Sequence, residues 1–229
     1  MTRKTGIPIL AIAICIASIS ASAQTKLFEG MSYLDNGEIR IGVDLDIGGA
    51  ITHLSKSSGE NIVNSYDWGR QIQMSFFSGP KPFEPNGKEP HPYWKFIGWN
   101  PIQSGDVYKN QSKVITHRND GKSLYLKCIP MHWPLDNEPG ECTFEVWITL
   151  DGNSVNVRSK LNNARSDKTQ YKARNQELPA LYSNGTYYRL YTYDGVKPFT
   201  GDAIRQITKV WDSRQKPNEV PGGPWDNWI

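Results

Sequence analysis

The chain has 229 residues, a formal net charge of +3, and a composition that is 38% apolar and 11% aromatic. That length suits one domain with a core of ordinary size. The charge is too small for the electrostatic footprint of a nucleic-acid or anionic-lipid binder.

Arg3 and Lys4 precede an apolar run from Ile7 to Ile19, and Ala21-Ser22-Ala23 follows it. These are the three zones of a cleavable secretory signal peptide over residues 1–23, which places the mature chain in a secreted or periplasmic setting. The apolar run is shorter than the roughly 20 residues that a spanning helix needs, and Pro8 interrupts its start. Lipidation at Cys15 is the alternative, but Ile14 stands where a small residue should precede a lipidated cysteine. Removing this segment takes away Arg3 and Lys4 and leaves a nearly neutral chain, residues 24–229. It reads as a single domain without a membrane anchor, and nothing in it sets an oligomeric state.

Extended segments dominate the mature chain. Glu38 to Ile47 reads EIRIGVDLDI, with Ile39, Ile41, Val43, Leu45 and Ile47 on one face, the period of a half-buried strand. Gly48-Gly49 breaks it, Ala50 to Leu54 resumes, and Asn61 to Asn64 starts another short extended piece. Ser112 to Thr116, Ser123 to Ile129, Cys142 to Leu150 and Ser154 to Leu161 follow as strands. Asn119-Asp120-Gly121 and Asp151-Gly152-Asn153 are hairpin junctions, because these residue types tolerate positive φ. The best helical segment is Gly201 to Trp211, and Arg165 to Lys172 is a weaker one. Many short antiparallel strands with long decorated connections predict an all-β sandwich or barrel.

Cys128 and Cys142 form an even pair in an oxidising compartment, which predicts a disulfide. Closing that ring would contribute about 3 kcal/mol in the loop-entropy picture. Two buried free thiols are the alternative. Residues 78–104 carry six prolines together with Phe83, Tyr93, Trp94, Phe96 and Trp99. Disordered segments are poor in aromatics, so this reads as an ordered functional loop lying over a sheet face. The chain ends on Trp225-Asp226-Asn227-Trp228-Ile229 without a polar tail, and the expectation is that it forms the N-terminal part of a longer domain.

The run from Gly42 to Leu54, GVDLDIGGAITHL, followed after a turn by Gly59-Glu60-Asn61-Ile62-Val63-Asn64, resembles the opening of galactose-mutarotase-like domains. The likeness covers residues 36–64. It implies a mutarotase-like sandwich, a fold shared by sugar epimerases, polysaccharide lyases and accessory domains of glycoside hydrolases. Mutarotases use a histidine acid and a late glutamate base. His91-Pro92-Tyr93-Trp94 is similar to their histidine motif but falls too early, so that role is not carried over.

A carbohydrate is the expected partner, since eight Trp and eleven Tyr offer faces for sugar rings. Trp68, Trp99, Asn100, Tyr93, Tyr182 and Arg174 are the candidate binding residues, Trp68 and Trp99 because they sit among turn residues. Each is equally open to a role in core packing. Arg70 lies in an apolar neighbourhood and needs a partner, either Asp67 or an anionic ligand group. Glu177 precedes a proline-limited segment, and a sugar against it would raise its pKa and fit it as a general acid or base. A salt bridge to Arg174 is the other reading. A glycosidase needs a second carboxylate within about 5–10 Å, and Asp106 is the expected one. A lyase would use His132, Tyr108 and Arg70. Glu177, Asp106, Arg70 and Tyr108 are thus the catalytic candidates. No cofactor is expected. The histidines at 53, 91, 117 and 132 show no metal-ligand spacing, although calcium on loop carboxylates stays open. A non-catalytic carbohydrate-binding domain and a structural envelope protein are the competing functional classes.

Overall fold

The computed structural model describes residues 28–207 apart from 188, 198 and 199. The expected signal segment, the chain terminus and residues 208–211 of the expected helix lie outside that range. In chain order the strands are β1 (Met31–Asp35), β2 (Ile39–Asp44), β3 (Ala50–Lys56), β4 (Ile72–Ser75) and β5 (Pro101–Ile102). Next come β6 (Lys113–Asn119), β7 (Ser123–Ile129), β8 (Met131–His132), β9 (Cys142–Asp151) and β10 (Ser154–Asn163). The last three are β11 (Glu177–Leu181), β12 (Leu190–Tyr193) and β13 (Ile204–Ile207).

One antiparallel sheet runs β1-β2-β3-β4-β5-β8, with β11 also on β4. A second runs β10-β9-β7-β6, and β12 pairs with β13. The protein is an all-β antiparallel sandwich. Its core lies where the two larger sheets face each other. Leu34, Ile41, Val43, Ile51 and Met74 of the first sheet meet Leu124, Leu126, Phe144, Val146 and Ile148 of the second. Each of these side chains is almost fully withdrawn from water, and each such burial is worth about 1.5–3 kcal/mol. Strict alternation along β7 and β9 follows from this, since one face is core and the other is wet.

The glycine pair works as the sequence implies, but the strand before it is shorter. β2 ends at Asp44, whose side chain accepts from the Asp46 amide and caps a 3-10 turn over Leu45–Ile47. Leu45 and Ile47 stay buried, although they leave the sheet. Gly48 and Gly49 then take φ of +64 and +72. A Cβ on Gly48 would lie 1.9 Å from the Gln103 carbonyl oxygen, and one on Gly49 would lie 2.4 Å from Leu126 Cδ2. Both conformation and space therefore require glycine. Asn61 to Asn64 contributes only a bridge, from Val63 to Ser183.

Two helical expectations fail. Ile204–Ile207 is a strand paired with β12. Arg165 to Lys172 is a loop folded around Asp167, which accepts from the Thr169 amide and the Tyr171 hydroxyl. The disulfide is also absent: Cys128 and Cys142 are buried free thiols on adjacent strands. The register is the reason, because Cys128 stands opposite Phe144 and Cys142 opposite Asn163 of β10. Burial pushes the Cys142 thiol up to about 12, and raises Cys128 further.

Candidate functional site

Strand β4 carries the site. Ser75 pairs with Ile102 of β5 on one side and Glu177 of β11 on the other, so these three side chains share one face. Ile102 belongs to a second apolar cluster with Ile97 and Trp133, flanked by Trp68, Phe77, Trp94 and Val107. Glu177 therefore stands on the aromatic face of the first sheet, away from the sandwich core. Its approach is set by Gln176, whose side-chain amide bonds the Phe77 amide and carbonyl at 2.7 and 2.9 Å and extends the pairing by one rung.

The turn from Tyr66 to Arg70 is held from beneath by two glutamines that are each 1% exposed. Gln71 Nε2 donates to the Asp67 carbonyl at 2.6 Å. Gln73 Nε2 donates to the Trp68 and Arg70 carbonyls at 2.8 and 2.6 Å, while its Oε1 accepts from the Ser104 amide. Ser104 Oγ adds a bond to the Trp68 carbonyl. On the outer side of this turn Arg70 makes an ion pair with Asp67 and lies 5.4 Å from the centre of the Tyr66 ring.

Glu177 accepts a 3.0 Å hydrogen bond from the Tyr182 hydroxyl at Oε1. Its Oε2 accepts none from the described residues. Burial raises the Glu177 carboxyl above the ordinary range, and the Tyr182 bond only partly offsets this. Tyr182 itself is pushed up to about 12, first by burial and then by the Glu177 charge, while Arg70 acts in the opposite direction. So Glu177, Tyr182, Arg70 and Asp67 form one linked group. Chemically it offers a carboxyl whose proton affinity burial raises, a tyrosine that stays protonated, and a cation paired with its neighbour.

No family model, curated protein sequence or solved structure matches the chain. The mutarotase-like reading rests on the residue pattern between 42 and 64.

The other sequence candidates are spread more widely. Asp106 is 0% exposed and accepts from the Tyr108, Asn110 and Asn137 amides and from Asn110 Nδ2. These bonds tie its own turn to Asn137 and engage both carboxyl oxygens, so Asp106 serves as a structural carboxylate at that junction. Tyr108 is 44% exposed and packs edge-on to His91. Trp99 is 1% exposed, its Nε1 donates to Glu141, and it offers no open face to a ring. Asn100 is buried and bonds Ser75 Oγ and the Phe76 carbonyl. Trp68 is half-buried under Lys109, and Tyr93 is 69% exposed beside Trp94. Arg174 donates to the Ile97 carbonyl and makes no ion pair with Glu177. His132 is fully buried; its Nε2 donates to Glu141 Oε2 at 3.2 Å, while Nδ1 has no partner. Among the described residues, no three His, Cys, Asp or Glu side chains gather as metal ligands.

Asp67 as the partner of Arg70 was one of two sequence alternatives, whereas Gln71 and Gln73 were missed. Their signal was present as glutamines at alternate positions of an otherwise apolar strand, QIQMS.

Proposed function

We propose that this chain is an exported, mutarotase-like sandwich that recognises and acts on an oligo- or polysaccharide at the Glu177 group. The supporting observation is the desolvated Glu177 carboxyl, which has one oxygen held by Tyr182 and one unclaimed, on the sheet face that carries Trp68 and Trp133. A carboxyl with a raised pKa is suited to donate a proton to a leaving glycosidic oxygen near neutral pH. Tyr182 holds its own proton, so it positions Glu177 rather than acting as a base. Asp67 is the other carboxylate of the linked group and is ion-paired with Arg70.

A second reading is recognition without turnover. The inward bonding of Asp106 favours it, because Glu177 then lacks the partner first expected for hydrolysis.

The test is a panel of polysaccharides incubated with the secreted protein, read for new reducing ends and for the absorbance of unsaturated uronates. Turnover that vanishes in Glu177→Gln supports the enzyme. Binding without product on any glycan assigns the chain to recognition. Neither binding nor product removes the carbohydrate reading.

A further inference from the structure

A groove of about 440 Å³ lies just beyond the Ser75 end of β4, next to the Glu177 group, between residues 76–78 and the loop that follows β10. Arg165, Lys168, Lys172 and Arg174 line it, against one lining carboxylate, Asp167. Arg165 is 6% exposed, with its guanidinium 4.4 Å from the centre of the Trp99 ring. Its Nη2 donates to the Gly79 carbonyl and to Asp167, but Nε is buried without a partner. Arg174 and Lys172 form no ion pair among the described residues. The excess is felt nearby, since burial and the charge of Arg174 lower the pKa of Lys81. Arg165 has Asp167 as its anion, but four lining cations against one carboxylate, with one buried N–H idle, leave a place for a further anion.

The walls narrow the class of ligand. Phe77 and Tyr171 line it with rings whose centres stand 5.6 and 5.7 Å from the Arg174 and Arg165 guanidinium groups, and Gln170 and Thr169 offer hydroxyl partners. A bare inorganic ion would use none of these, and a sugar ring bearing an acid group would use all of them. The exposed row Arg118–Tyr125–Trp147–Arg158 on the second sheet looks like a competing platform. There, however, Arg158 lies 4.1 Å over the Trp147 ring, closer than any guanidinium stands to Phe77 or Tyr171, and neither Arg118 nor Arg158 has a buried N–H without a partner.

We propose that the groove binds the acid group of a glycan, a carboxylate or a sulfate, with Arg174 and Lys172 meeting the anion and Tyr171 and Phe77 meeting the ring. The assignment rests on the carbohydrate reading and narrows it to acidic chains.

The experiment is titration calorimetry of the folded protein with oligogalacturonate, a heparin-derived hexasaccharide, and neutral cello- and xylohexaose. Wild type is compared with Arg174→Gln/Lys172→Gln and with Arg174→Lys, each checked for an unchanged melting transition. At least one acidic ligand should bind about tenfold more tightly than the neutral ones and weaken as NaCl rises. The double variant should lose about tenfold, the scale of one charge-assisted hydrogen bond. Preference for oligogalacturonate names the carboxylate, and preference for the heparin fragment names the sulfate. Equal binding of acidic and neutral chains, or a double variant that binds like wild type, overturns the groove assignment and leaves the carbohydrate reading intact. Sodium sulfate or a single-stranded oligonucleotide binding as tightly as the acidic sugars overturns the sugar part. Silence across all sugars overturns both.

Discussion

Glu141 is the residue whose replacement tests the packing of this fold most directly. Its Oε2 accepts from His132 Nε2 at 3.2 Å and Trp99 Nε1 at 3.0 Å, and both donors belong to buried side chains. These bonds hold the carboxyl at about 2, against an ordinary 4.5. Each tenfold difference in proton affinity is worth about 1.4 kcal/mol, so the ceiling on the stabilisation is ~3 kcal/mol. The Glu141 side chain is 42% exposed, and solvent screening reduces the figure to about 1–2 kcal/mol. The sign follows from the lowered value. The contribution is complete above the unfolded value of 4.5 and is lost as pH falls through the folded one. Urea denaturation of wild type and Glu141→Gln at pH 7 should therefore show midpoints separated by roughly 0.5–1 M. By pH 3 the gap should shrink to about two fifths. A gap of the same size at both pH values, or none at pH 7, would refute the role given to the charged carboxylate.

Gly48→Ala should destabilise the fold by about 2 kcal/mol or more, since a left-handed φ and the nearby Gln103 carbonyl both oppose the methyl; thermal denaturation measures it. Glu177→Gln should lower any glycan turnover about 100-fold or more. The raised folded value of Glu177 means that its ionisation opposes folding. The same variant should thus be more stable than wild type at pH 8, with the difference closing as pH falls towards 4, read from urea midpoints. Cys128 and Cys142 should resist iodoacetamide in the native protein and both react in urea without prior reduction, as peptide mass spectrometry would show. A linked Cys128–Cys142 peptide would contradict the register seen here.

The strands were legible because the sandwich leaves one face wet, which writes a period of two into β7 and β9. The end of β2 was not legible, since Leu45 and Ile47 keep the alternation while Asp44 turns the backbone. β13 read as helix because a short strand carries too few residues for its period to compete with propensity. At the site, Glu177 was recognisable from the proline-limited segment beside it. Asp106 misled because a carboxylate among turn residues looks available, yet the amides two and four residues ahead curl back onto it. Trp99 misled because turn-forming residues beside it suggested exposure, whereas Ile97, Asn100 and Ile102 around it are buried along with its ring. Cysteine count predicted a bond that only register could deny.

The two buried glutamines under the Tyr66–Arg70 turn have a thermodynamic consequence. Three of that turn's carbonyls are already fixed, one by Gln71 and two by Gln73 of β4, so Asp67 and Arg70 stand in place before any ligand arrives. A ligand meeting them has little backbone left to immobilise, and its association should be limited by water leaving the surface rather than by ordering of the loop. Loosening either amide would make the same contacts entropically dearer without removing one of them.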